Sequence, residues 1–329
     1  MKPYIYITRK LPNTVIETIQ QKYEVKMWEQ EDIPVPREIL LSEVKKADAL
    51  LTMLSDAIDE SVLTAGHNLK VVANLAVGFD NIDVKTASRK GIAICNTPDV
   101  LTDTTADLTF GLLMAAARRI VEAAELVKQG DWKSWSPLLL AGQDIHHKTI
   151  GIVGMGKIGE TVVKRATGFD MNILYHNRTR KPEIEQKLGA VYATFNDLIE
   201  KADFIVCLTP LTAETKKMFT REVFQKMKKS AIFVNASRGA VIDEFALYEA
   251  LVEGEIAGAG LDVFEKEPIN GEHPLLKLPN VVALPHIGSS SIDTRVKMMK
   301  LCLDNIEAVI EGNEPKTIVN KDWKALENV

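Results

Sequence analysis

Three separate segments of the sequence hold side chains that could act together on a carbonyl compound. They contain Arg238, Glu267 and His286, each a few residues beyond a short apolar run. A guanidinium can bind a carboxylate and polarise a ketone, and an imidazolium can donate a proton to a developing alkoxide. A carboxylate beside the imidazole favours its protonated form and fixes its orientation. The set suits reversible hydride transfer to a 2-keto acid. Singly, the arginine could be a surface charge, the glutamate one of three nearby acids, and the histidine part of the core.

A glycine-rich segment, Gly154-Met155-Gly156-Lys157-Ile158-Gly159, has the spacing G-x-G-x-x-G. It lies directly after an apolar strand pattern and at the start of a helical one. The first glycine allows a tight turn, the second a close approach to a pyrophosphate, and the third close packing of helix on strand. A glycine turn kept for purely steric reasons is the alternative. We expect dinucleotide contacts from Gly154, Gly156, Lys157, Ile158 and Gly159.

The end of the next strand favours one type of dinucleotide. An NAD-selective site normally has Asp or Glu there to bind the ribose hydroxyls, but the sequence has Asn177 at about that position and no carboxylate before Glu183. Arg178, Thr179 and Arg180 could instead bind a 2′-phosphate. We expect NADP(H) to be preferred and NAD(H) to be possible. A solvated basic turn that accepts either cofactor is the alternative.

Short apolar runs alternate with helical patterns along most of the chain. Strands are predicted over residues 4–8, 23–28, 49–53, 70–74, 91–95, 148–153, 171–175, 204–208, 231–235, 258–263 and 281–284. Helices are predicted over residues 13–22, 37–46, 60–65, 102–128 and 293–311. Strands that are apolar on both faces and separated by helices form parallel sheets. The pattern therefore predicts an α/β protein with two doubly wound parallel-sheet domains.

Composition narrows the possible partners and location. The chain has 329 residues, 46% hydrophobic and 26% charged, with a formal net charge of −5. This charge disfavours nucleic acid or an anionic membrane as a partner. The start of the sequence lacks signal-peptide features, and the most apolar window, residues 108–117, falls short of the roughly 20 residues that a membrane span needs. We expect a cytoplasmic protein whose three cysteines are buried and reduced.

Two further patterns allow more than one interpretation. The predicted helix over 102–128 is apolar nearly all round. It could be a core helix between two domains or a subunit interface, and the pattern favours neither. The adjacent pair His146 and His147 has no third ligand at a suitable spacing, and adjacent side chains on a strand point in different directions. A solvated turn is the better interpretation, and we expect no metal site.

Four motifs in a fixed order carry a resemblance to a known family. They are the glycine turn, Ala236–Gly239, Asp262–Pro268 and Pro285–Ser289. Together they resemble the D-isomer-specific 2-hydroxyacid dehydrogenases, and the resemblance covers nearly the whole chain. Within that family the sequence is most similar to the glyoxylate/hydroxypyruvate reductases and their 2-ketogluconate-reducing relatives.

The resemblance implies a domain organisation. A Rossmann cofactor domain would span residues 100–287. A discontinuous flavodoxin-like substrate domain would combine residues 1–99 with 288–329. The active site would lie in the cleft between the two domains. The long helix after Thr102 would lie at the interface of a homodimer.

The resemblance also assigns roles to residues. His286 would donate the proton, Glu267 would pair with it, and Arg238 would bind substrate, with Glu265 as the nearest competitor to Glu267. The implied substrate contacts are Leu54, Ser55, Val77, Gly78, Arg238, His286 and Ser289. The implied further cofactor contacts are Thr105, Cys207, Leu208, Thr209, Pro210, Ala236, Ser237, Asp262, His286 and Gly288.

The implied activity is NADPH-preferring reduction of glyoxylate or hydroxypyruvate to the D-2-hydroxy acid. A 2-ketogluconate reductase and a phosphoglycerate dehydrogenase are alternatives within the family. A nucleotide-sensing binding module, like the corepressors that share this fold, is an alternative of another class. One departure leaves the substrate open. Some relatives insert a tryptophan into the active site of the neighbouring subunit. The corresponding position here is Leu139, and Trp135 lies four residues earlier.

Overall fold

The computed structural model describes residues 2–324, which form two compact units. The first consists of the described part of Met1–Leu101 and Ser291–Val329, and the second is Thr102–Ser290. Residues 100–101 therefore belong to the first unit and residues 288–290 to the second, so the two boundaries lie two and three residues beyond the expected ones. At the second boundary the reason is local, because the Asp262 carboxylate accepts hydrogen bonds from the backbone N–H groups of Ile287 and Gly288, at 2.8 Å each. Residues 1 and 325–329 of the predicted substrate domain lie outside the described residues.

The elements follow one another in strict β/α alternation through most of the chain. The strands are β1 (Tyr4–Ile7), β2 (Glu24–Met27), β3 (Ala49–Thr52), β4 (Val71–Asn74), β5 (Ala93–Cys95), β6 (Thr149–Val153), β7 (Asn172–His176), β8 (Val191–Tyr192), β9 (Phe204–Cys207), β10 (Ile232–Asn235), β11 (Gly258–Leu261) and β12 (Val281–Ala283). The α-helices are α1 (Asn13–Lys22), α2 (Arg37–Val44), α3 (Glu60–Ala65), α4 (Val84–Arg89), α5 (Thr102–Ala117), α6 (Ile120–Lys128), α7 (Lys157–Ala166), α8 (Pro182–Leu188), α9 (Phe195–Lys201), α10 (Arg221–Lys226), α11 (Glu244–Val252) and α12 (Ile292–Ile310).

The first unit is built on a five-stranded parallel sheet with the order β2-β1-β3-β4-β5. This is the strand order of flavodoxin-like folds. Every residue of β3 and β4 is buried, as expected for central strands covered on both faces. The C-terminal helix α12 returns to this unit and packs on β3, β4 and β5.

The second unit is built on a seven-stranded parallel sheet with the order β12-β11-β10-β9-β6-β7-β8. Read from its first strand, β6, this is the Rossmann order extended by one strand. Strands β9, β10 and β11 are buried along their whole length. The two sheets confirm the prediction of two doubly wound parallel-sheet domains.

The prediction of one continuous helix over 102–128 is wrong. Helix α5 ends at Ala117 and α6 begins at Ile120, because Arg119 has a left-handed backbone with φ of 52°. A non-glycine residue in that region cannot continue an α-helix. Helix α5 is largely buried, whereas α6 has no buried residue. The expectation of burial on most sides therefore holds only for α5.

The three cysteines, Cys95, Cys207 and Cys302, are unpaired and buried, as expected. Burial raises the pKa of the Cys95 thiol to about 12. A buried thiol of this kind is inert at neutral pH. Within residues 2–324, no helix is both long and apolar enough to cross a membrane.

Candidate active site

The residues with candidate chemistry in the second unit follow the carboxyl ends of its parallel strands. Arg238 comes after β10, Glu267 after β11 and His286 after β12. Strands β10, β11 and β12 are neighbours in the sheet. Their carboxyl ends therefore lie side by side, where open α/β sheets place their ligand sites.

The glycine turn joins β6 to α7 and is fixed by close backbone contacts. Gly154 has φ of +103°, and a Cβ on it would lie 2.7 Å from the carbonyl carbon of Leu208. A Cβ on Gly159 would lie 2.5 Å from the Gly154 oxygen. Gly156 differs, since a Cβ there would meet nothing within 4 Å. The space beside Gly156, at the N-terminus of α7, fits a phosphate group.

The segment after β9 lies against the glycine turn. The Leu208 N–H donates to the Val153 carbonyl at 2.8 Å, and the Ala236 N–H donates to the Cys207 carbonyl at 3.4 Å. The Cys207 thiol is buried, with the hydroxyl groups of Ser237 and Thr209 at 3.4 and 3.6 Å. The residues after β9 that the resemblance assigns to the cofactor thus border the glycine turn, and those after β10 contact Cys207 at the end of β9.

The basic turn after β7 is less free to bind a ligand than its sequence indicates. Arg180 donates two hydrogen bonds to the Glu185 carboxylate, at 2.7 Å each. These bonds, with one from the Tyr175 hydroxyl, lower the pKa of Glu185 to about 2. Lys181 pairs with Glu160. The exposed Arg178 side chain interacts more weakly with an acid, since its charge makes only a minor contribution to lowering the pKa of Glu214.

A buried asparagine shapes the turn that carries Arg238. The Asn235 side chain donates to the Arg238 carbonyl at 3.0 Å and accepts from the Ser237 N–H at 3.1 Å and hydroxyl at 2.8 Å. Asn235 is fully buried. The strand-end pattern did not reveal this role. An asparagine that ends a buried strand is the signal that could have indicated it.

Glu267 and His286 form a direct pair. The Glu267 Oε2 lies 2.7 Å from the His286 Nδ1, and the two side chains are 29% and 23% exposed. The Glu267 Oε1 accepts from the Phe264 N–H at 3.0 Å. Burial opposes ionisation of this carboxyl. The hydrogen bond and charge of His286, the Phe264 N–H and the charge of Arg238 nevertheless hold the pKa of Glu267 below its ordinary value. Glu267, and not the competitor Glu265, is therefore the partner of the histidine.

The backbone around His286 is held by Asp262. His286 has φ of 54°, a left-handed conformation that costs a non-glycine residue free energy. The next two N–H groups, of Ile287 and Gly288, both donate to the buried Asp262 carboxylate. Burial raises the pKa of Asp262, against the effects of these N–H groups and of His286. Thr105 lies beside the same loop, since a Cβ on Gly288 would be 3.3 Å from its methyl group.

The first unit holds the remaining candidate residues in two turns. Leu54 and Ser55 follow β3, and Val77 and Gly78 follow β4. The Val77 carbonyl accepts from the Asn96 side chain at 2.8 Å, and the Gly78 carbonyl from the Asn74 side chain at 3.0 Å. Both peptide planes are thereby fixed. Strands β3 and β4 are neighbours in the sheet, so the two turns lie at the same edge.

Comparison with known proteins agrees with this geometry. Residues 110–288 match the NAD binding domain of the D-isomer specific 2-hydroxyacid dehydrogenases. A glyoxylate reductase from Pyrococcus horikoshii is 49% identical over 326 residues, covering 98% of this chain and 97% of that protein.

Solved structures are similar to this chain over nearly its whole length. A crystal structure of a protein from Thermus thermophilus has a TM-score of 0.91 and 42% identity, covering 96% of this chain and 99% of that one. An NADPH-dependent glyoxylate/hydroxypyruvate reductase from Sinorhizobium meliloti, in complex with NADP and malonate, has a TM-score of 0.85 and 33% identity, covering 98% of both chains. The protein is therefore an oxidoreductase that belongs to the D-isomer specific 2-hydroxyacid dehydrogenase family.

Proposed function

We propose that this chain reduces glyoxylate or hydroxypyruvate to the D-2-hydroxy acid with NADPH as the preferred cofactor. The observation that carries the proposal is the pair formed by Glu267 and His286, whose Oε2 and Nδ1 atoms are 2.7 Å apart. This contact occupies Nδ1 and leaves Nε2 as the ring nitrogen that can hold a transferable proton. The glyoxylate reductase of Pyrococcus horikoshii, with its 49% identity, supports the choice of substrate.

Each proposed catalytic residue has a separate part in the reaction. The Arg238 guanidinium binds the substrate carboxylate and polarises the keto group. The His286 imidazolium donates its Nε2 proton to the oxygen that becomes the hydroxyl, while the Glu267 carboxylate, in contact with Nδ1, orients the ring. The cofactor, when bound, supplies the hydride. We propose the backbone N–H groups of Val77 and Gly78, together with Leu54, Ser55 and Ser289, as further contacts of the substrate.

The cofactor would be held at the carboxyl edge of the seven-stranded sheet. The open space at Gly156 and the N-terminus of α7 fit its pyrophosphate. Further contacts are proposed from Thr105, Cys207, Leu208, Thr209, Pro210, Ala236, Ser237, Asp262 and Gly288. Because Arg180 is paired with Glu185, we assign the 2′-phosphate mainly to Arg178, with Asn177 and Thr179 beside it. NADH would lack that ion pair and bind more weakly.

A side-by-side assay tests the proposal. Oxidation of NADPH and NADH is followed with glyoxylate, hydroxypyruvate, 2-ketogluconate and phosphohydroxypyruvate. We expect the highest kcat/KM with glyoxylate or hydroxypyruvate and NADPH. Equal kcat/KM with both cofactors would overturn the cofactor assignment. No turnover with any of the four acids would favour a nucleotide-sensing binding module over an enzyme.

A homodimer in the cytoplasm is part of the same proposal. Of the fourteen large apolar side chains that are exposed among the described residues, seven lie within 120–139: Ile120, Val121, Val127, Trp132, Trp135, Leu138 and Leu139. An apolar patch of this density is typical of a protein interface. Light scattering should give twice the mass of one chain. Val127→Glu should shift the protein towards the monomer, whereas Ile33→Glu, at an exposed apolar position in the other unit, should not.

A further inference from the structure

The segment Met53–Asp56 in the first unit is a turn closed at both ends by Asp56. Its N–H donates to the Met53 carbonyl at 3.0 Å, and its Oδ2 accepts from the Met53 N–H at 2.8 Å. Leu54 and Ser55 are therefore the two central residues of the turn, where side chains project away from its closed ends. These are the residues proposed above to face the substrate.

A buried arginine from another loop forms hydrogen bonds with this turn. Arg9 follows β1, and its Nη1 donates to the Thr8 carbonyl at 2.6 Å and to the Asp56 Oδ1 at 3.3 Å. Its Nη2 donates to the Ser55 hydroxyl at 3.0 Å. The Arg9 and Asp56 side chains are only 8% and 2% exposed. A buried ion pair contributes little net stability, since desolvation offsets most of the attraction. Its effect here is to fix the conformation of the turn.

An asparagine holds the turn from its other side. The Asn81 Nδ2 donates to the carbonyls of Met53 and Asp56, at 3.1 and 2.9 Å. The Asn81 Oδ1 accepts from the Asn74 Nδ2 at 3.1 Å, and the same Nδ2 donates to the Gly78 carbonyl at 3.0 Å. Asn81 thus connects the Met53–Asp56 turn to the turn that contains Gly78.

We propose that Arg9 and Asn81 are positioning residues for the substrate carboxylate. Arg9 orients the two central residues of the turn, Leu54 and Ser55, through its contacts with Asp56 and the Ser55 hydroxyl. Asn81 fixes the distance between these two residues and Gly78. The inference rests on the proposed function, because it gives these turns their ligand. A displacement of about 1 Å in such a pocket can cost up to roughly 10² in kcat/KM, even when no contacting group is lost.

The test compares Arg9→Lys with Arg37→Lys. Lysine retains a positive charge for Asp56 but cannot hold Asp56, Thr8 and Ser55 together with one planar group. Arg37 is a matched control, because it donates to the Ala57 carbonyl at 2.7 Å and pairs with Asp59 at 2.6 Å, yet is 40% exposed. Asn81→Ala tests the other side of the turn without removing a charge.

We expect Arg9→Lys and Asn81→Ala to raise KM for glyoxylate by about tenfold, which corresponds to about 1.4 kcal/mol of binding free energy. The KM for NADPH and the kcat should be unchanged, and Arg37→Lys should match the wild type. If Arg9→Lys does not fold, the KM of Asn81→Ala for glyoxylate tests the inference by itself.

The outcomes separate this inference from the proposed function. A wild-type enzyme that reduces glyoxylate, together with folded variants of unchanged KM, would overturn the inference and leave the function intact. Equal rises in KM for glyoxylate and NADPH would indicate general loosening of the fold and would also overturn it. A wild-type protein without turnover would overturn the proposed function itself.

Discussion

The carboxyl edge of the seven-stranded sheet has two halves that are built differently. Around β6, the glycine turn is defined by backbone contacts, such as the approach of Leu208 to Gly154. Around β10, β11 and β12, the site is defined by charged side chains, with Glu267 and His286 in direct contact. Substitutions in the first half should therefore change folding or cofactor affinity. Substitutions in the second half should change the rate of reaction.

The largest expected effect is in the side-chain half. His286→Gln should lower kcat by about 10²–10⁴, the usual contribution of a general acid, because it removes the proposed proton donor. Cofactor binding should be intact. Since His286 has φ of 54°, His286→Asn provides a second variant that tolerates the left-handed backbone. His146→Gln, at an exposed histidine, is the control. Near-normal turnover of His286→Gln would refute the assignment.

In the backbone half, two neighbouring glycines should respond in opposite ways. Gly154→Ala places a Cβ 2.7 Å from the Leu208 carbonyl carbon in a backbone with φ of +103°. We expect it to lower the free energy of unfolding by about 1–3 kcal/mol. Gly156→Ala meets no protein atom within 4 Å, so it should fold normally and bind NADPH more weakly. Thermal unfolding and calorimetric titration measure the two effects. Equal changes in unfolding free energy and in NADPH affinity in the two variants would contradict this distinction.

A third prediction lies at the border of the backbone half, in the basic turn. Arg178→Ala should raise KM for NADPH by roughly 10-fold, the value of a charge-assisted hydrogen bond, and leave KM for NADH unchanged. Arg180→Ala removes the same charge, but Arg180 is already paired with Glu185. Its effect on the KM for NADPH should therefore be smaller. The reverse ranking would show that the Glu185 pair opens when cofactor binds.

The smallest predicted effect concerns the stability of the side-chain half at low pH. The pKa of Glu267 in the folded protein is held below its ordinary value near 4.5, although burial opposes this. A carboxyl with a lowered folded pKa contributes stability that is complete above the unfolded pKa and is lost as the pH falls through the folded one. The unfolding midpoint of wild type should exceed that of Glu267→Gln at neutral pH, and the gap should close below about pH 4.5. A gap that widens with acid would contradict this.

Much of the fold follows from the sequence because buried parallel strands are continuous apolar runs. Strands such as β3 and β9 have no exposed residue, and their runs end in the polar residues that form the site. Several elements that the sequence pattern did not predict are short or exposed, but it also missed α11, which has nine residues and five buried ones. Helix α4 has only six residues and depends on an Asp83 cap, and β8 has two exposed residues.

The parts of the site that could not be predicted depend on competition between side chains. The sequence shows a cationic turn, but it does not show that Arg180 pairs with Glu185. The break at Arg119 is similar, because its φ of 52° follows no glycine or proline signal. Arg9 and Asn81 lie far from Ser55 in sequence, and no local motif connects them.

The Asp262 carboxylate has a consequence for how this fold can diverge. It anchors the two N–H groups after His286, so two hydrogen bonds that hold the loop do not involve the imidazole. A descendant could exchange the histidine, lose turnover in a single step, and still present an ordered loop beside a dinucleotide. Such a protein would report on the supply of reduced cofactor without consuming it. A single substitution could therefore separate cofactor binding from catalysis in this fold.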